Sequence, residues 1–174
     1  PTGQLAQVLT SADDSISVDL EGRASNVFLR PGQLDAPAHR LRVSGGHDLH
    51  VRSSPRSAAT LRLYGSIGDD YFVNRDDHAI LQHDRGQLSG QGFQSVYVFG
   101  GGGHDRADLH GTAGNEILVS HADYTRLSNA TDLWYVESFA RVYAYGETGN
   151  DRAFLYGSSA NDAIAATPEF ARLA

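Results

Sequence analysis

The sequence repeats itself at a fixed interval of 46 residues. The segment LYGSIGDD at residues 63–70 returns as LHGTAGNE at 109–116 and as LYGSSAND at 155–162. A second segment keeps the same interval, because FQSVYVFG at 93–100 returns as FARVYAYG at 139–146. A fixed interval of this length indicates stacked supersecondary units, in which equivalent segments occupy equivalent surroundings.

Half of that interval is also visible as a column of apolar residues. Its members follow one another at steps of 22 or 23 residues and are Phe28, Val51, Val73, Val96, Val119, Val142 and Ala165. One apolar residue returning once per coil is typical of a parallel β-solenoid, whose neighbouring coils pair at roughly 4.8 Å. We therefore predict an all-β, right-handed parallel solenoid with about 23 residues per coil and a 46-residue double-coil repeat. An antiparallel sandwich is the alternative, although it gives no reason for so constant an interval.

Short stretches that alternate apolar and polar residues are the strand candidates, and Gly, Asn and Asp separate them. Their apolar pairs are Leu61/Leu63, Tyr71/Val73, Val96/Val98, Ala107/Leu109, Ile117/Val119, Val142/Ala144 and Ala153/Leu155. We expect one domain over residues 1–174, with 1–56 as degenerate N-terminal coils or a cap. Residues 57–174 then hold the 46-residue repeats, truncated at the C-terminus, and the start at Pro1 suggests a segment of something longer.

Composition narrows the classes of partner. The 174 residues include 19 Gly, no Cys and no Lys, and the net charge is −7. An acidic chain is a poor partner for nucleic acid but accepts divalent cations. No stretch approaches the roughly 20 apolar residues of a membrane span, so no membrane insertion is expected.

One glycine-rich segment carries a recognisable motif. Residues 100–108 read GGGGHDRAD and fit the pattern GGxGxDxUx, in which U is apolar. This segment resembles the hemolysin-type, or RTX, calcium-binding repeat, and the 46-residue unit resembles repeat arrays of large bacterial surface proteins. Looser copies lie at 65–73, 111–119, 146–154 and 157–165.

The resemblance implies calcium bound at glycine turns, in a protein located outside the cell or on its surface. In that family, turn carbonyls line the ion and the Asp carboxylate supplies charge, which suits a cation that takes six to eight oxygens. With 23-residue coils, one edge would carry an oxygen-rich column at steps of 21, 24 and 22 residues. The predicted metal site comprises this column and two turn glycines: Asp84, Asp105, Asn129, Asp151, Gly103 and Gly149.

The copies also depart from the family, and this leaves a second interpretation open. RTX repeats follow one another every nine residues, whereas the copies here alternate at 11 and 35 residues. On the edge carrying Asp70, Glu116 and Asp162, the intervening positions are Phe93 and Phe139, which offer no oxygen, so that edge is expected to be structural. At every copy, Gly can adopt positive φ and the following Asn or Asp can close the turn without metal.

Two other groups of polar residues are candidate sites. The pairs His47/His50 and His104/His110 match no zinc spacing, and solvated histidines are the default. The carboxylate pairs are Asp13/Asp14, Asp69/Asp70 and Asp76/Asp77. Such pairs could serve polysaccharide cleavage in a groove, but they more simply read as turn acids.

Aromatic residues form the last candidate site. If Val96 and Val98 point inward, Tyr97 and Phe99 point outward, as do Tyr143 and Tyr145 one repeat later. An outward aromatic stripe could contact sugar rings or a neighbouring chain. Alternatively, a loop over residues 123–132 folds across and buries it.

These observations predict a non-catalytic structural or adhesive repeat module of a larger secreted or cell-surface bacterial protein, with calcium as its stabilising ion. The expected partners are neighbouring repeats of the parent chain, glycans, or a second copy through self-association, since open solenoid ends expose strand edges. The alternative is a polysaccharide-binding or polysaccharide-cleaving β-helix, that is, a lyase or hydrolase.

Overall fold

The computed structural model describes residues 6–10, 15–19, 24–30, 39–44, 49–53, 60–84, 86–159, 161, 163–166 and 171–173. Side chains are described for residues 49–53, 60–84, 86–159, 161 and 163. All regular structure in these ranges is β-strand, so the prediction of an all-β chain is confirmed. The strands are β1 (Ala6–Thr10), β2 (Ser15–Asp19), β3 (Ala24–Arg30), β4 (His39–Ser44), β5 (Leu49–Ser53), β6 (Thr60–Tyr64), β7 (Tyr71–Arg75), β8 (His78–His83), β9 (Gly86–Gln91), β10 (Ser95–Phe99), β11 (Arg106–His110), β12 (Ile117–Ser120), β13 (Tyr124–Ser128), β14 (Leu133–Glu137), β15 (Arg141–Tyr145), β16 (Arg152–Leu155), β17 (Ile164–Ala166) and β18 (Ala171–Leu173).

Two large sheets hold most of the described strands. Sheet A has seven strands in the order β1-β5-β9-β8-β7-β11-β15. Sheet B has nine strands in the order β16-β12-β13-β14-β10-β6-β2-β3-β4. The backbone of β1 to β4 therefore continues both sheets, and β17 pairs with β18 in a separate two-stranded sheet.

A five-strand unit explains the 46-residue repeat. A three-stranded antiparallel meander is followed by two single strands that lie in opposite sheets, as in β7 to β11 and again in β12 to β16. The first strand of the meander begins at Tyr71 and at Ile117, which are 46 residues apart. After each meander the chain crosses between the sheets three times, at β9 to β10, β10 to β11 and β11 to β12 in the first unit, so the next meander lies in the other sheet.

The sheets are mixed, which corrects the prediction of a parallel solenoid with about 23 residues per coil. Val96 of β10 pairs in parallel with Leu61 and with Trp134, which lie 35 and 38 residues away. It does not pair with Val73 or Val119, its neighbours in the predicted column. Within each meander the ladders are antiparallel, because tight turns reverse the chain where the prediction had it continue into a new coil.

One of these reversing turns shows the local cause. Between β7 and β8 the chain turns over Asp76 and Asp77, and Asp76 has a φ of 53°. Asp tolerates this left-handed conformation better than most residues, because its short side chain can bond to nearby backbone groups. The turn lets β8 fold back against β7.

The seven predicted apolar pairs all fall within strands, namely β6, β7, β10, β11, β12, β15 and β16. The strands β8, β9, β13 and β14 were not predicted, and the proposed loop at residues 123–132 is wrong because β13 occupies 124–128. The phase of alternation was also wrong in β7, where Phe72 is buried and Tyr71 and Val73 are only partly buried. It was wrong in β12 too, where Ile117 is 42% exposed and Leu118 packs against the core.

The hydrophobic core lies between the two sheets and draws on both. Buried side chains of β5, β7, β8, β9 and β11 meet those of β6, β10, β13 and β14 in one cluster. Its members are Leu49, Val51, Leu61, Leu63, Phe72, Ala79, Leu81, Leu88, Phe93, Val96, Val98, Ala107, Leu109, Leu127, Trp134 and Val136. The inward faces are therefore closed by apolar packing, and the chemistry of the molecule lies in its turns, outer faces and ends.

Candidate functional site

Four glycine turns carry the chain between the sheets, and they stack in two pairs. Turns 65–70 and 100–105 lead from sheet B to sheet A, whereas turns 111–116 and 146–151 lead from sheet A to sheet B. Strands that pair in parallel have their ends side by side, so the two pairs of turns occupy opposite edges of the structure. Within each pair the turns are 35 residues apart.

The first pair is joined by backbone and carboxylate hydrogen bonds. The backbone N–H of Asp70 donates to Oδ1 of Asp105 at 2.8 Å, and the N–H of His104 donates to Oδ1 of Asp69 at 2.7 Å. The N–H of Gly102 donates to the carbonyl oxygen of Ser66 at 3.0 Å. Each turn thus supplies both donors and acceptors to the other.

The Asp70 carboxylate also closes its own turn. Its Oδ2 accepts the backbone N–H of Ser66 at 2.6 Å and the Ser66 hydroxyl at 3.2 Å. The same hydroxyl oxygen accepts the N–H of Gly68 at 3.0 Å. Asp70 is 3% exposed, so its hydrogen bonds form in a nearly dry environment, where unpaired polar groups are costly.

The second pair repeats this geometry with different side chains. The N–H of Glu116 donates to Oδ1 of Asp151 at 2.8 Å, and the N–H of Asn150 donates to Oδ1 of Asn115 at 2.8 Å. Thr112 takes the place of Ser66 and donates its hydroxyl to Oε1 of Glu116 at 2.6 Å. The geometry is kept although the residues differ, which marks it as the part that the repeat preserves.

Glycine is required where the stacked turns touch. A Cβ at Gly65 would overlap the carbonyl oxygen of Gly100 and would lie 2.6 Å from Oδ2 of Asp70. A Cβ at Gly111 would lie 2.7 Å from the carbonyl oxygen of Gly146. These close approaches explain why the first glycine recurs in each turn.

Burial and hydrogen bonds shift the pKa values of the turn acids in different directions. It raises the pKa of Asp105 to about 6, and it also raises the pKa of Asp70 above its ordinary value. For Glu116, burial favours the neutral form, but hydrogen bonds from Thr112 and Asn129 outweigh it and lower the pKa. Oε2 of Glu116 is buried without a hydrogen-bond partner among the described residues.

The residues predicted to bind calcium do not form a single column. Asp84, in the turn between β8 and β9, lies at the same edge as Asp105. Asn129 lies at the opposite edge with Asp151, and its Nδ2 donates to Glu116 Oε1 at 3.2 Å. The sheet-switching repeat separates positions that a 23-residue coil would have stacked.

Carboxylate oxygens of the turns already have hydrogen-bond donors within the protein. Oδ1 of Asp105 and Oδ1 of Asp151 each accept a backbone N–H, as expected for turns that close without metal. Gly103 and Gly149 have φ values of 95° and 124°. They lie so close to Gly68 and Gly114 of the partner turns that a Cβ at either position would overlap the backbone there. In the described part of the chain, no group of three or more His, Asp or Glu side chains is placed to hold a metal. Calcium at these turns stays a prediction from the sequence resemblance.

The outer face of sheet B carries a continuous line of rings, here called the aromatic row. It consists of Tyr64, Phe99, Tyr135, Tyr124, His121 and Tyr156. Stacked neighbours lie 4.4 to 5.2 Å apart between ring centroids, for example 4.9 Å between Tyr64 and Phe99. Rings that stack at this spacing cover one another's faces. The Phe99 and Tyr135 rings in the middle of the row are instead tilted by 55°, with centroids 6.4 Å apart.

The predicted ligand surface is divided between the sheets. Tyr97 and Phe99 lie on sheet B, whereas Tyr143 and Tyr145 lie on sheet A and are 44% and 42% exposed. They are divided because equivalent residues are 46 apart and each repeat places its equivalent strand in the other sheet. Tyr97 is covered by the Arg62 guanidinium, which lies 5.3 Å from its ring centroid.

Sheet A carries a cluster around Arg106 that the sequence did not predict. The Arg106 guanidinium lies 4.7 Å from the Tyr143 ring and 5.5 Å from the Tyr71 ring. It also donates two hydrogen bonds to Asp108, which is 6% exposed and accepts a third from the Tyr71 hydroxyl at 2.8 Å. An Arg and an Asp two residues apart on one strand share a face, and that spacing was the available signal.

Members of the candidate histidine and carboxylate pairs take part in local contacts. Nδ1 of His50 lies 2.8 Å from the Ser89 hydroxyl oxygen, and His110 stacks on Tyr145. Asp77 lies 2.7 Å from Nδ1 of His78 beside its own turn. Asp13, Asp14, His47 and Asp162 lie outside the described residues.

Comparison with models of protein families, with curated proteins and with solved structures finds no match to this chain. No helix long and apolar enough to cross a membrane occurs in the ranges that the structure describes. These comparisons therefore assign no function to the chain.

Proposed function

We propose that this chain is a non-catalytic structural or adhesive repeat module of a larger secreted or cell-surface protein of bacterial type. The observation that carries the proposal is the stacking of equivalent turns at both edges, Asp70 on Asp105 and Glu116 on Asp151. Each added repeat finds the same acceptors, so the unit lends itself to extension along one axis. The right-handed sense in which the chain winds from one sheet to the other is part of this proposal.

The use made of the acids supports a non-catalytic role. Catalytic carboxylates need a substrate groove and free lone pairs. Asp70 and Asp105 are buried and accept backbone N–H groups of the turns. These carboxylates hold the structure together and are not presented to a substrate.

A duplication tests the repeat module directly. Residue 155 is equivalent to residue 63, so a copy of residues 63–154 inserted after Phe154 continues the pattern and adds two units. Because each unit transfers the strands that follow it to the other sheet, two added units return those strands to their original sheets. The ten added strands divide equally between the two sheets. Five strands at about 4.8 Å spacing should lengthen the particle by about 24 Å, which small-angle X-ray scattering measures. Unchanged length, or two separate unfolding transitions, would contradict the proposal.

Calcium stabilisation is part of the proposal and has its own test. A cation that binds only the folded state raises its stability by mass action, which would favour folding in a calcium-rich exterior. Thermal unfolding in EDTA and in millimolar calcium should then differ, and the double variant Asp105→Ala plus Asp151→Ala should lose the difference. An identical midpoint in both buffers would leave the turns as metal-free architecture.

Glycan binding is the adhesive alternative, and one observation favours it. Tyr143 and Tyr145 are more exposed than the partly buried Tyr97 and Phe99, and they lie beside the Arg106 cluster. A glycan array should report binding that Tyr143→Ala plus Tyr145→Ala removes. The matched control is Tyr97→Ala plus Phe99→Ala on sheet B, which should retain binding, whereas equal loss in both variants would count against this surface.

A further inference from the structure

The last strand of sheet A is unlike its counterpart one repeat earlier. Val96 and Val98 of β10 are 2% and 0% exposed, because β10 is paired on both sides, by β6 and by β14. The equivalent residues of β15 are Val142, which is half-buried, and Ala144, which is exposed. β15 pairs with β11 on one side, and no described strand pairs with its other side. Among the described strands, the difference in burial therefore follows from the lack of a pairing partner on that side of β15.

The backbone of β15 indicates which groups face the open side. The N–H of Arg141 donates to Asp105 O, and the carbonyl oxygen of Tyr145 accepts the N–H of Gly111. In a parallel ladder, alternate residues bond to one neighbour and the residues between them bond to the other. Val142 and Ala144 thus direct their N–H and C=O groups to the open edge.

A pocket lies at the same end of the structure and adjoins Val142 of β15. It has a volume of about 250 Å³, and its lining includes Val136, Phe139, Val142 and Tyr156. One repeat earlier, Phe93 is 6% exposed, and Trp134 of β14 pairs with Val96 and is buried. Phe139, the equivalent of Phe93, is only half-buried. An indole in the place of Trp134 would be opposite Val142, beside this pocket.

The same relationship occurs twice within the described chain. Strand β5 is paired in parallel by β9, and β10 is paired in parallel by β14, each of them the third strand of the following meander. The partner begins 37 residues after the first residue of β5 and 38 residues after that of β10. Counted in the same way, the partner of β15 begins near residue 179, which lies beyond the 174 residues of this sequence.

We infer that the open edge of β15 is a docking site for a parallel strand of the β14 type, with an aromatic residue opposite Val142 and a β-branched residue opposite Ala144. This inference rests on the proposed function and names its contact between repeats. The interface continues one already present, since Val96 pairs with Trp134 and Val98 with Val136 in β10 and β14. Main-chain bonds would hold the strand, and the pocket would select its bulky side chain.

The probe is a fluorescein-labelled peptide of residues 129–138, NATDLWYVES, which contains the whole of β14. Fluorescence anisotropy with the 174-residue chain should show saturable binding of one peptide per chain. Ala144→Pro removes an N–H that faces the open edge and spares the bonds to β11, a position at which edge strands tolerate proline. This variant should bind at least tenfold more weakly while keeping the circular dichroism spectrum.

Backbone methylation of the peptide makes the test independent of the variant's folding. In the chain, Leu133 N–H donates to Gln94 O, so by alternation Tyr135 N–H also faces β10 and Trp134 N–H faces away. N-methylation at Tyr135 should weaken binding at least tenfold, and N-methylation at Trp134 should leave it unchanged. Hydrogen exchange should show protection of the Ala144 amide when the peptide binds.

Three results would overturn the inference. One is no saturable binding at millimolar peptide, and another is equal binding by both methylated peptides. The third is a dimer of the chain that Ala144→Pro dissociates, because the edge would then accept a second copy. If the duplicated chain lengthens as expected but the peptide does not bind, the docking site fails and the repeat module stands.

Discussion

The Asp105 carboxylate accepts the backbone N–H of Asp70 at 2.8 Å, across two turns that are 35 residues apart in sequence. Both residues are almost completely buried. The same contact recurs between Asp151 and Glu116. A side chain thus replaces a backbone acceptor at the point where the two turns meet, and it links strand pairing to turn closure.

Removal of that acceptor should destabilise the fold. Asp105→Ala leaves the Asp70 N–H buried without a partner, which costs about 1–3 kcal/mol of the free energy of unfolding. Urea denaturation measures the loss. The control is Asp84→Ala at the same edge, where the side chain is 77% exposed and the expected change is within about 0.5 kcal/mol. Equal effects of the two variants would show that the contact is not stabilising.

The raised pKa of Asp105 predicts a specific pH dependence. Burial raises this pKa from 3.8 to about 6, so between these values the folded state binds more protons than the unfolded state. The Asp105 contribution to the free energy of unfolding therefore falls as pH rises from about 4 to 6, by about 1–3 kcal/mol, and stays low above pH 6. Asp105→Asn, which keeps an acceptor oxygen, should remove this fall. Denaturation of both proteins at pH 4, 5, 6 and 7 isolates the difference, and parallel pH curves would contradict the prediction.

Two glycines of one turn should respond differently to a methyl group. Gly65→Ala places a Cβ against Gly100 O, where only backbone can move, and should cost at least about 2 kcal/mol. Gly68→Ala meets nothing closer than 3.6 Å, at the Ser66 hydroxyl, so we expect a change within about 0.5 kcal/mol. Thermal unfolding of the two variants provides the comparison. If Gly68→Ala is the more damaging, the stacked arrangement of the turns is incorrect.

Equivalent valines in successive repeats should differ in their contribution to stability. Val96→Ala removes two buried methyl groups from a closed core and should cost about 2 kcal/mol. Val142→Ala acts at the open end and should cost less than about 1 kcal/mol. Chemical denaturation distinguishes the two. Saturating peptide of residues 129–138 should raise the cost of Val142→Ala if β15 accepts it.

Local alternation was sufficient to predict some strands but not others. In β6 and β10 every second residue is apolar and inward, as with Leu61 and Val96, so sequence and structure agree. In β13 the inward positions hold Thr125 and Leu127, and the polar threonine hides the pattern. The ladder through Val73 and Val119 exists in the sequence, yet neither residue is buried.

The candidate site could likewise be predicted from the sequence only in part. The glycine and acid positions of the turns were recognised from the motif, because backbone conformation and turn closure are local properties. Their partners were not, since Asp105 meets Asp70 through the pairing of β7 with β11. The cluster of Arg106, Asp108 and Tyr143 depends in the same way on the pairing of β11 with β15.

The sequence by itself determined the 46-residue repeat, the all-β class and the turn residues, because periodicity and glycine placement act within a few residues. Only the tertiary structure decided which strands are neighbours. Alternation specifies the face of a strand but not the strand beside it, and parallel and antiparallel ladders differ little in energy per residue. The reversals at turns such as Asp76–Asp77, and the three crossings between the sheets in each repeat, therefore set the sheets, the edges and the open strand β15.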